Sequence, residues 1–328
     1  PNLLMAKEPE FGITTHPEVV RALIRILKNI NSQIFIGDGP SVWGAQIENV
    51  GEVYRRTGME ALCAQEHVQL VTFDKKRWRG SFPLTTWLDE CDCFISIPKF
   101  KTHEFTLMTG AVKNLFGLVS GTFKTELHKR FFKIEDFASV LADIYEQAKP
   151  ALTVVDGIIA MEGDGPGTSG KPYHAGVLLA GNDCVALDSV MASLMGIKPH
   201  QVASTRIAAQ RGLGCAELKT ISIMGDRPDT VFKRPFVLPK NASLVNKLPS
   251  FLVAFVATLI KYVPLIKHDQ CQKCMACIKV CPQHCISMHH DKVTIEYKNC
   301  IACFCCQESC PASAITVKKS LLARLMGL

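Results

Sequence analysis

Eight cysteines late in the chain repeat one spacing: Cys271-x2-Cys274-x2-Cys277-x3-Cys281-Pro282, then Cys300-x2-Cys303-x2-Cys306-x3-Cys310-Pro311. Thiolates in such numbers are ligands for soft metal centres. Two-residue gaps let a short loop wrap a centre, lay three sulfurs on it and turn its amide N–H groups inward. The proline after each fourth cysteine fixes φ and withholds an N–H, which ends the cysteine-bearing turn. Zinc also uses Cys-x2-Cys pairs. A zinc ribbon, however, explains neither the third cysteine of each loop nor the repeated Cys-Pro.

Residues 268–318 resemble a two-cluster bacterial-type ferredoxin domain. That resemblance implies two [4Fe–4S] clusters, with the fourth cysteine of each run serving the other cluster. One cube then takes Cys271, Cys274, Cys277 and Cys310; the other takes Cys300, Cys303, Cys306 and Cys281. Cys285 and Cys305 fall outside the spacing and read as small buried fillers. Cys63, Cys91, Cys93, Cys184 and Cys215 show no disulfide framework, so a reducing, cytoplasmic setting is expected.

A second group of reactive side chains lies in Pro98-Lys99-Phe100-Lys101-Thr102-His103, followed by an apolar small-residue run that carries Lys113 and Asn114. In an extended segment Lys99, Lys101 and His103 share one face. Such a face suits a phosphate or carboxylate; a solvated basic edge is the competing reading. Lys113 and Asn114 are costly inside an apolar run unless they meet a ligand or partner. His103 and Lys113 are the candidate catalytic residues, with His103 the proton donor because imidazole titrates near neutrality. Lys99, Lys101 and Asn114 are candidate contacts to an anionic small molecule.

A third stretch runs from Asp156-Gly157 through Glu162-Gly163-Asp164-Gly165-Pro166-Gly167 to Gly170. Its glycines let backbone approach a ligand closely. Asp156 joins the candidate ligand contacts, and Glu162 and Asp164 suit Mg²⁺, which prefers carboxylate oxygens. A plain surface loop would look the same. No Gly-Lys-Ser/Thr phosphate loop and no dinucleotide fingerprint is present, nor any flavin signature.

These residues need elements to position them. Thr15-x-x-Glu18 reads as a capping box opening a helix to about Lys28. Further helices are expected over about Val42–Arg56, from Met59, over Ile134–Ala148, about Cys184–Met195 and Val202–Arg211. Short apolar strands are expected at Gln33–Ile36, Val68–Phe73, Cys93–Ile97, Ala151–Val155, Val177–Ala180 and Ile221–Met224. Alternating strands and helices predict an α/β fold with a mainly parallel sheet covered by helices. A small α+β ferredoxin-like domain follows it. Asp38, Lys99, Asp156, Asp183 and Asp226 sit at predicted strand ends, where α/β sheets bind ligands. Turn and cap chemistry explains any one of these aspartates equally well, Asp183 in particular.

Residues 94–117, 155–170 and 180–197 together resemble the domain-of-unknown-function 362 family, over most of residues 1–226. The resemblance implies one α/β unit fused to a ferredoxin module and leaves the activity open. The domains expected are 1–235 (α/β, with residues missing upstream of Pro1), a connector at 236–267, the ferredoxin domain at 268–318 and an amphipathic tail at 319–328.

The net charge of +7 over 328 residues sits mostly outside the ferredoxin stretch. Lys75-Lys76-Arg77-Trp78-Arg79 is one basic cluster. Lys124, His128, Lys129, Arg130 and Lys133 form another, where His128 would join an anion site beside the Gly117–Gly121 segment. No nucleic-acid module accompanies either cluster, so nucleic acid is not an expected partner. A solvated face or a dock for an acidic redox partner protein fits better. The apolar run 251–260 is too short to span a bilayer. It suits a buried linker helix or, with its flanking lysines, peripheral membrane contact. The functions in view are an iron–sulfur electron-transfer protein or oxidoreductase subunit serving an anionic ligand, a non-catalytic carrier, and a non-redox enzyme with a regulatory ferredoxin module.

Overall fold

The computed structural model describes residues 1–39, 42–43, 46–47, 49–119, 123–131, 133–226, 228–232, 234–239, 262–301, 305–312 and 314–319. The apolar run 251–260, the tail from 320 and Cys303 lie outside the described residues.

Helix α1, Pro17–Lys28, buries Val19, Val20 and Ile24. Its cap is His16, whose Nδ1 accepts from the Glu18 N–H. Thr15 does not cap; its hydroxyl donates to the Ile97 carbonyl. Strand β1, Phe35–Ile36, pairs in parallel with β4, Gln69–Leu70. Between them come the hairpin of β2, Val42–Trp43, and β3, Gln46–Ile47, then α2, Val50–Arg56, and α3, Met59–Gln65. The helix expected from Val42 starts eight residues later because Asn49 caps it, accepting from the Glu52 N–H. The basic cluster at 75–79 forms an unforeseen hairpin of β5, Lys76–Arg79, with β6, Phe82–Thr85. A short helix α4, Trp87–Glu90, follows.

The central sheet joins β7, Ile95–Ser96, β8, Lys99–His103, β9, Leu107–Thr109, β10, Leu152–Gly163, and β11, Gly170–Gly181. It is mixed rather than mainly parallel. β10 runs parallel to β7 and β8, whereas β10–β11 and β8–β9 are antiparallel. The strands expected at 151–155 and 177–180 extend toward each other into a long ribbon. Most of the stretch read as a ligand loop is therefore strand. Gly157 permits this close pairing, since a Cβ there would stand 2.6 Å from Val177 Cγ1. No strand forms at 221–224, where Met224 is 93% exposed.

The sheet carries α5, Ala111–Asn114, α6, Phe123–Arg130, α7, Ile134–Gln147, α8, Cys184–Leu194, and α9, Ala203–Gln210. Phe137, Leu141 and Ile144 of α7 pack with Leu115 and Val185 in the largest apolar cluster. Phe100 of β8 packs with Met191 and Phe236 in another. In the last part of the chain β12, Tyr262–Ile266, pairs antiparallel with β15, Ile315–Lys319. Between them β13, Ile286–His289, and β14, Lys292–Ile295, form a hairpin. The core of this lobe combines Val280, Ile286, Val293 and Ile315 with Cys277, Cys281, Cys285, Cys306 and Cys310.

Candidate functional site: a cationic cavity beside the cysteine loops

Strand β8 puts Lys99, Lys101 and His103 inside the protein, all at most 2% exposed. Lys99 Nζ lies 2.7 Å from Asp156 Oδ2, and the same oxygen accepts the His16 N–H at 2.7 Å. Asp156 Oδ1 accepts from the Ile158 N–H. Asp156 thus sits within β10 rather than at a strand end, and pairs in register with Lys99. Burial lowers the Lys99 pKa, opposed by the attraction of Asp156. This buried pair is a structural clamp on the segment before α1. It does not reach the cavity described next.

Lys101 does reach it. Its Nζ donates to Asn2 Oδ1 at 2.8 Å and to the Ile13 carbonyl at 2.7 Å. It lines a cavity of about 130 Å³ together with Lys113, Asn114, Lys124, His128 and Asp38. Asn114 is held by Asn2, whose Nδ2 donates to it, and donates in turn to Ser96 Oγ. Lys113 and Asn114 owe their place to Asp188. That carboxylate accepts the Ala111 and Val112 N–H groups at the start of α5. A Cβ on Gly110 would stand 2.0 Å from Asp188 Oδ1, so the contact requires glycine. Burial pushes the Asp188 carboxyl up to about 7, against the pull of those two N–H groups.

The cavity's electrostatics follow from burial. Lys124 is pushed down to about 8 by desolvation, with Asp38 acting the other way and Lys113 reinforcing the drop. His128 is pushed down to about 3 by burial and by Lys113 and Lys124, so it is neutral at pH 7. Its ring stacks on Phe137 at 4.7 Å. Asp38 is raised by burial, with Lys124 and the Leu3 and Gly39 N–H groups opposing.

The other expected residues lie elsewhere. His103 does not line the cavity; its Nδ1 accepts from the Phe105 and Thr106 N–H groups. Burial, aided by Lys113, Lys101 and His128, holds it well below the usual imidazole value, so it is neutral. Glu162 takes a two-oxygen contact from Arg234 and accepts the Val237 N–H. The Glu162 charge is thus met by that guanidinium. Asp183 caps α8 through the Val185 and Ala186 N–H groups. Asp38, expected at a strand end, lines the cavity, whereas Asn2 was missed as a site residue. Asp188 was missed too, although a carboxylate inside the apolar run Val185–Met191 was a signal.

The cavity's remaining wall belongs to the cysteine lobe: Val280, Pro282, Cys305 and Ser309. Two of these adjoin Cys281, a third adjoins Cys306 and the fourth adjoins Cys310. In the lobe, burial raises the Cys277 thiol to about 11, and Cys310, Cys274 and Cys271 are the neighbours that add to the rise. Cys281, Cys300 and Cys306 share a separate small cavity with Cys285, whose sulfur is 3.4 Å from that of Cys281. The Ala314 N–H donates to Cys310 Sγ at 3.2 Å, the kind of donor that stabilises a metal-bound thiolate. Soft donors gathered in two groups in an apolar lobe fit iron–sulfur ligation. The glycine-rich turn of the large region holds this lobe. Thr168 donates to the Cys310 carbonyl at 2.9 Å and Ser169 to the Ile315 carbonyl at 3.4 Å.

A mixed α/β body with a lysine-lined cavity, capped by paired cysteine loops, defines an iron–sulfur protein of the ferredoxin-fused kind. Residues 264–311 match the 4Fe-4S dicluster domain family, so the chain carries a 4Fe–4S-binding unit. Residues 1–193 match the domain of unknown function DUF362, and the chain belongs to that family. The thylakoid-associated protein sll1697 of Synechocystis sp. is 32% identical over 221 residues, which is 65% of this chain and 66% of that protein's length. Among the described residues no helix is long and apolar enough to cross a membrane.

Proposed function

We propose that this protein is an iron–sulfur oxidoreductase or electron-transfer subunit that serves an anionic ligand in the Lys101–Lys113–Lys124 cavity. Cys271, Cys274, Cys277 and Cys310 would hold one [4Fe–4S] cube and Cys300, Cys303, Cys306 and Cys281 the other. Bound there, the cubes supply single electrons. The chain's own residues do the rest. Lys101 and Lys113 attract and orient the anion, Asn114 fixes the floor, and the cysteine lobe forms one wall of the cavity. Lys124, with its lowered pKa beside Asp38, replaces His103 as the group placed to give a proton to the ligand.

One observation carries this reading: a single cavity is walled by the lysines on one side and by the neighbours of Cys281 and Cys306 on the other. A bound molecule would lie beside the cysteine loops with no intervening domain. The electrons pass to or from a partner protein, for which the exposed Lys75–Arg79 hairpin offers a basic dock. The relative's name associates that protein with thylakoids; a corresponding surface association of this chain would use the run 251–260, on the cytoplasmic side of a membrane.

The test is spectroscopic. Oxygen-free protein should hold about eight irons, in keeping with two cubes. Its reduced paramagnetic spectrum should change on adding a small anion, and Lys113→Ala should abolish the change. A spectrum indifferent to anions in the wild-type protein would remove the cavity from the electron path.

A further inference from the structure

The two cysteine runs repeat one another beyond their ligand spacing. Cys281-Pro282-x-x-Cys285-Ile286 in the first corresponds to Cys310-Pro311-x-x-Ala314-Ile315 in the second. Both stretches lead into a strand, β13 from Ile286 and β15 from Ile315, and Cys285 and Ala314 are both buried. At this buried position a thiol stands where the other half has a methyl group. The fourth sulfur of each run is met from four residues further on. Cys310 Sγ accepts the Ala314 N–H at 3.2 Å. Cys281 Sγ lies 3.4 Å from Cys285 Sγ, side chain to side chain.

Cys285 shares a cavity of about 20 Å³ with Cys281, Cys300 and Cys306, and Cys300 is a second sulfur neighbour. In the reading above those three are ligands of one and the same cube. A ligand cysteine is a thiolate and holds no proton. Of the four sulfurs lining this cavity, Cys285 then carries the hydrogen. Resting on that ligand assignment, we infer that the Cys285 thiol donates a hydrogen bond to the ligand sulfurs of the Cys281 cube and raises that cube's reduction potential. Reduction adds negative charge to a cube and its thiolates, so a donor aimed at those sulfurs favours the reduced state. Val280 and Pro282, on either side of Cys281, line the lysine cavity. The donor therefore acts on a ligand sulfur whose chain neighbours touch that cavity, and it favours residence of the electron on that cube.

Redox titration of the anaerobic holoprotein, followed by paramagnetic resonance with iron measured on the same samples, tests the assignment. Cys285→Ala gives the first run the residue that the second already carries at this position, so the lobe should assemble with its full complement of iron. One of the two reduction steps should move to lower potential, its reduction equilibrium constant falling by about threefold to tenfold, as the loss of one hydrogen bond predicts. The other step should stay where it is. Cys285→Ser keeps a donor and should restore most of the shift. Neither step moving in Cys285→Ala, both moving equally, or the serine variant behaving like alanine would overturn the donor role and leave the two cubes standing. Loss of about half the iron in Cys285→Ala would overturn it too, by making Cys285 a ligand. Wild-type protein without two reducible centres would overturn the inference together with the ligand assignment beneath it.

Discussion

The large region and the cysteine lobe bury polar chemistry in different ways. In the large region several buried charged groups find partners within the protein. Lys99 meets Asp156, Asp188 meets two backbone N–H groups, and aliphatic and aromatic clusters surround them. In the lobe the buried chemistry is sulfur, and the surrounding apolar set is small: Val280, Ile286, Val293 and Ile315 with a handful of neighbours. About fifty residues bury too little surface to be secure alone. Ligands to a metal centre turn its binding free energy into folding free energy. The difference teaches where each region's stability comes from: packing and internal pairing in one, metal ligation in the other.

The largest expected effect follows directly. Cys277→Ala, or iron chelation of the wild-type protein, should unfold the lobe while the large region keeps its melting transition. Structural metal sites are worth on the order of 10 kcal/mol, more than a small lobe's net stability. Hydrogen exchange resolved by segment would show it as loss of protection over 262–319 with little change over 95–200. Equal loss in both would mean the large region leans on the metal too.

The converse variant is Asp156→Asn. It leaves the Lys99 ammonium buried without its counter-charge and should cost about 3–5 kcal/mol, read as a fall in the large region's denaturation midpoint. Iron content should stay at the wild-type value, because no cysteine loop depends on that pair.

Acid should weaken the large region through its buried histidines. His128 is held at about 3 in the folded protein, while an unfolded histidine takes its proton near 6.5. The folded value is the lower one. Its stabilising contribution is therefore complete above about 6.5 and is lost as pH falls from there toward 3. The slope is about 1.4 kcal/mol per pH unit for one histidine. His128→Phe keeps an aromatic ring stacked on Phe137 and removes the proton. Urea titrations between pH 7 and 5 should show a shallower fall for the variant; parallel lines would assign the acid sensitivity to other groups.

How much of this could be read from the residues differs between the regions for the same reason. The cysteine runs are legible because ligation fixes spacing within a few residues, with no distant partner needed to make sense of it. Lys99 and Lys101 were legible as a charged face, because a buried β8 alternates its side chains. What each meets was not, since Asp156, Asn2 and Ile13 come from distant segments. The glycine-rich stretch misled because glycines that admit a ligand also admit a paired strand; Val177 closing on Gly157 decides it. The start of α2 was missed for a local reason: Asn49 stops the helix that apolar spacing alone would run back to Val42.

The smallest expected effect probes whether the comparison is between two regions or two independent units. Thr168, in the turn between β10 and β11, donates to the carbonyl of Cys310, and that hydrogen bond crosses from one region to the other. Thr168→Val keeps the shape and removes the donor, at a cost of about 1 kcal/mol. If the lobe is held by its own ligation and only steadied by the turn, lobe amides should exchange about fivefold faster and those of β10 should not change. If β10 and lobe amides accelerate together, one cooperative transition covers both. The cysteine loops and the lysine cavity would then owe their alignment to a single folding event rather than to two regions meeting at a shared wall.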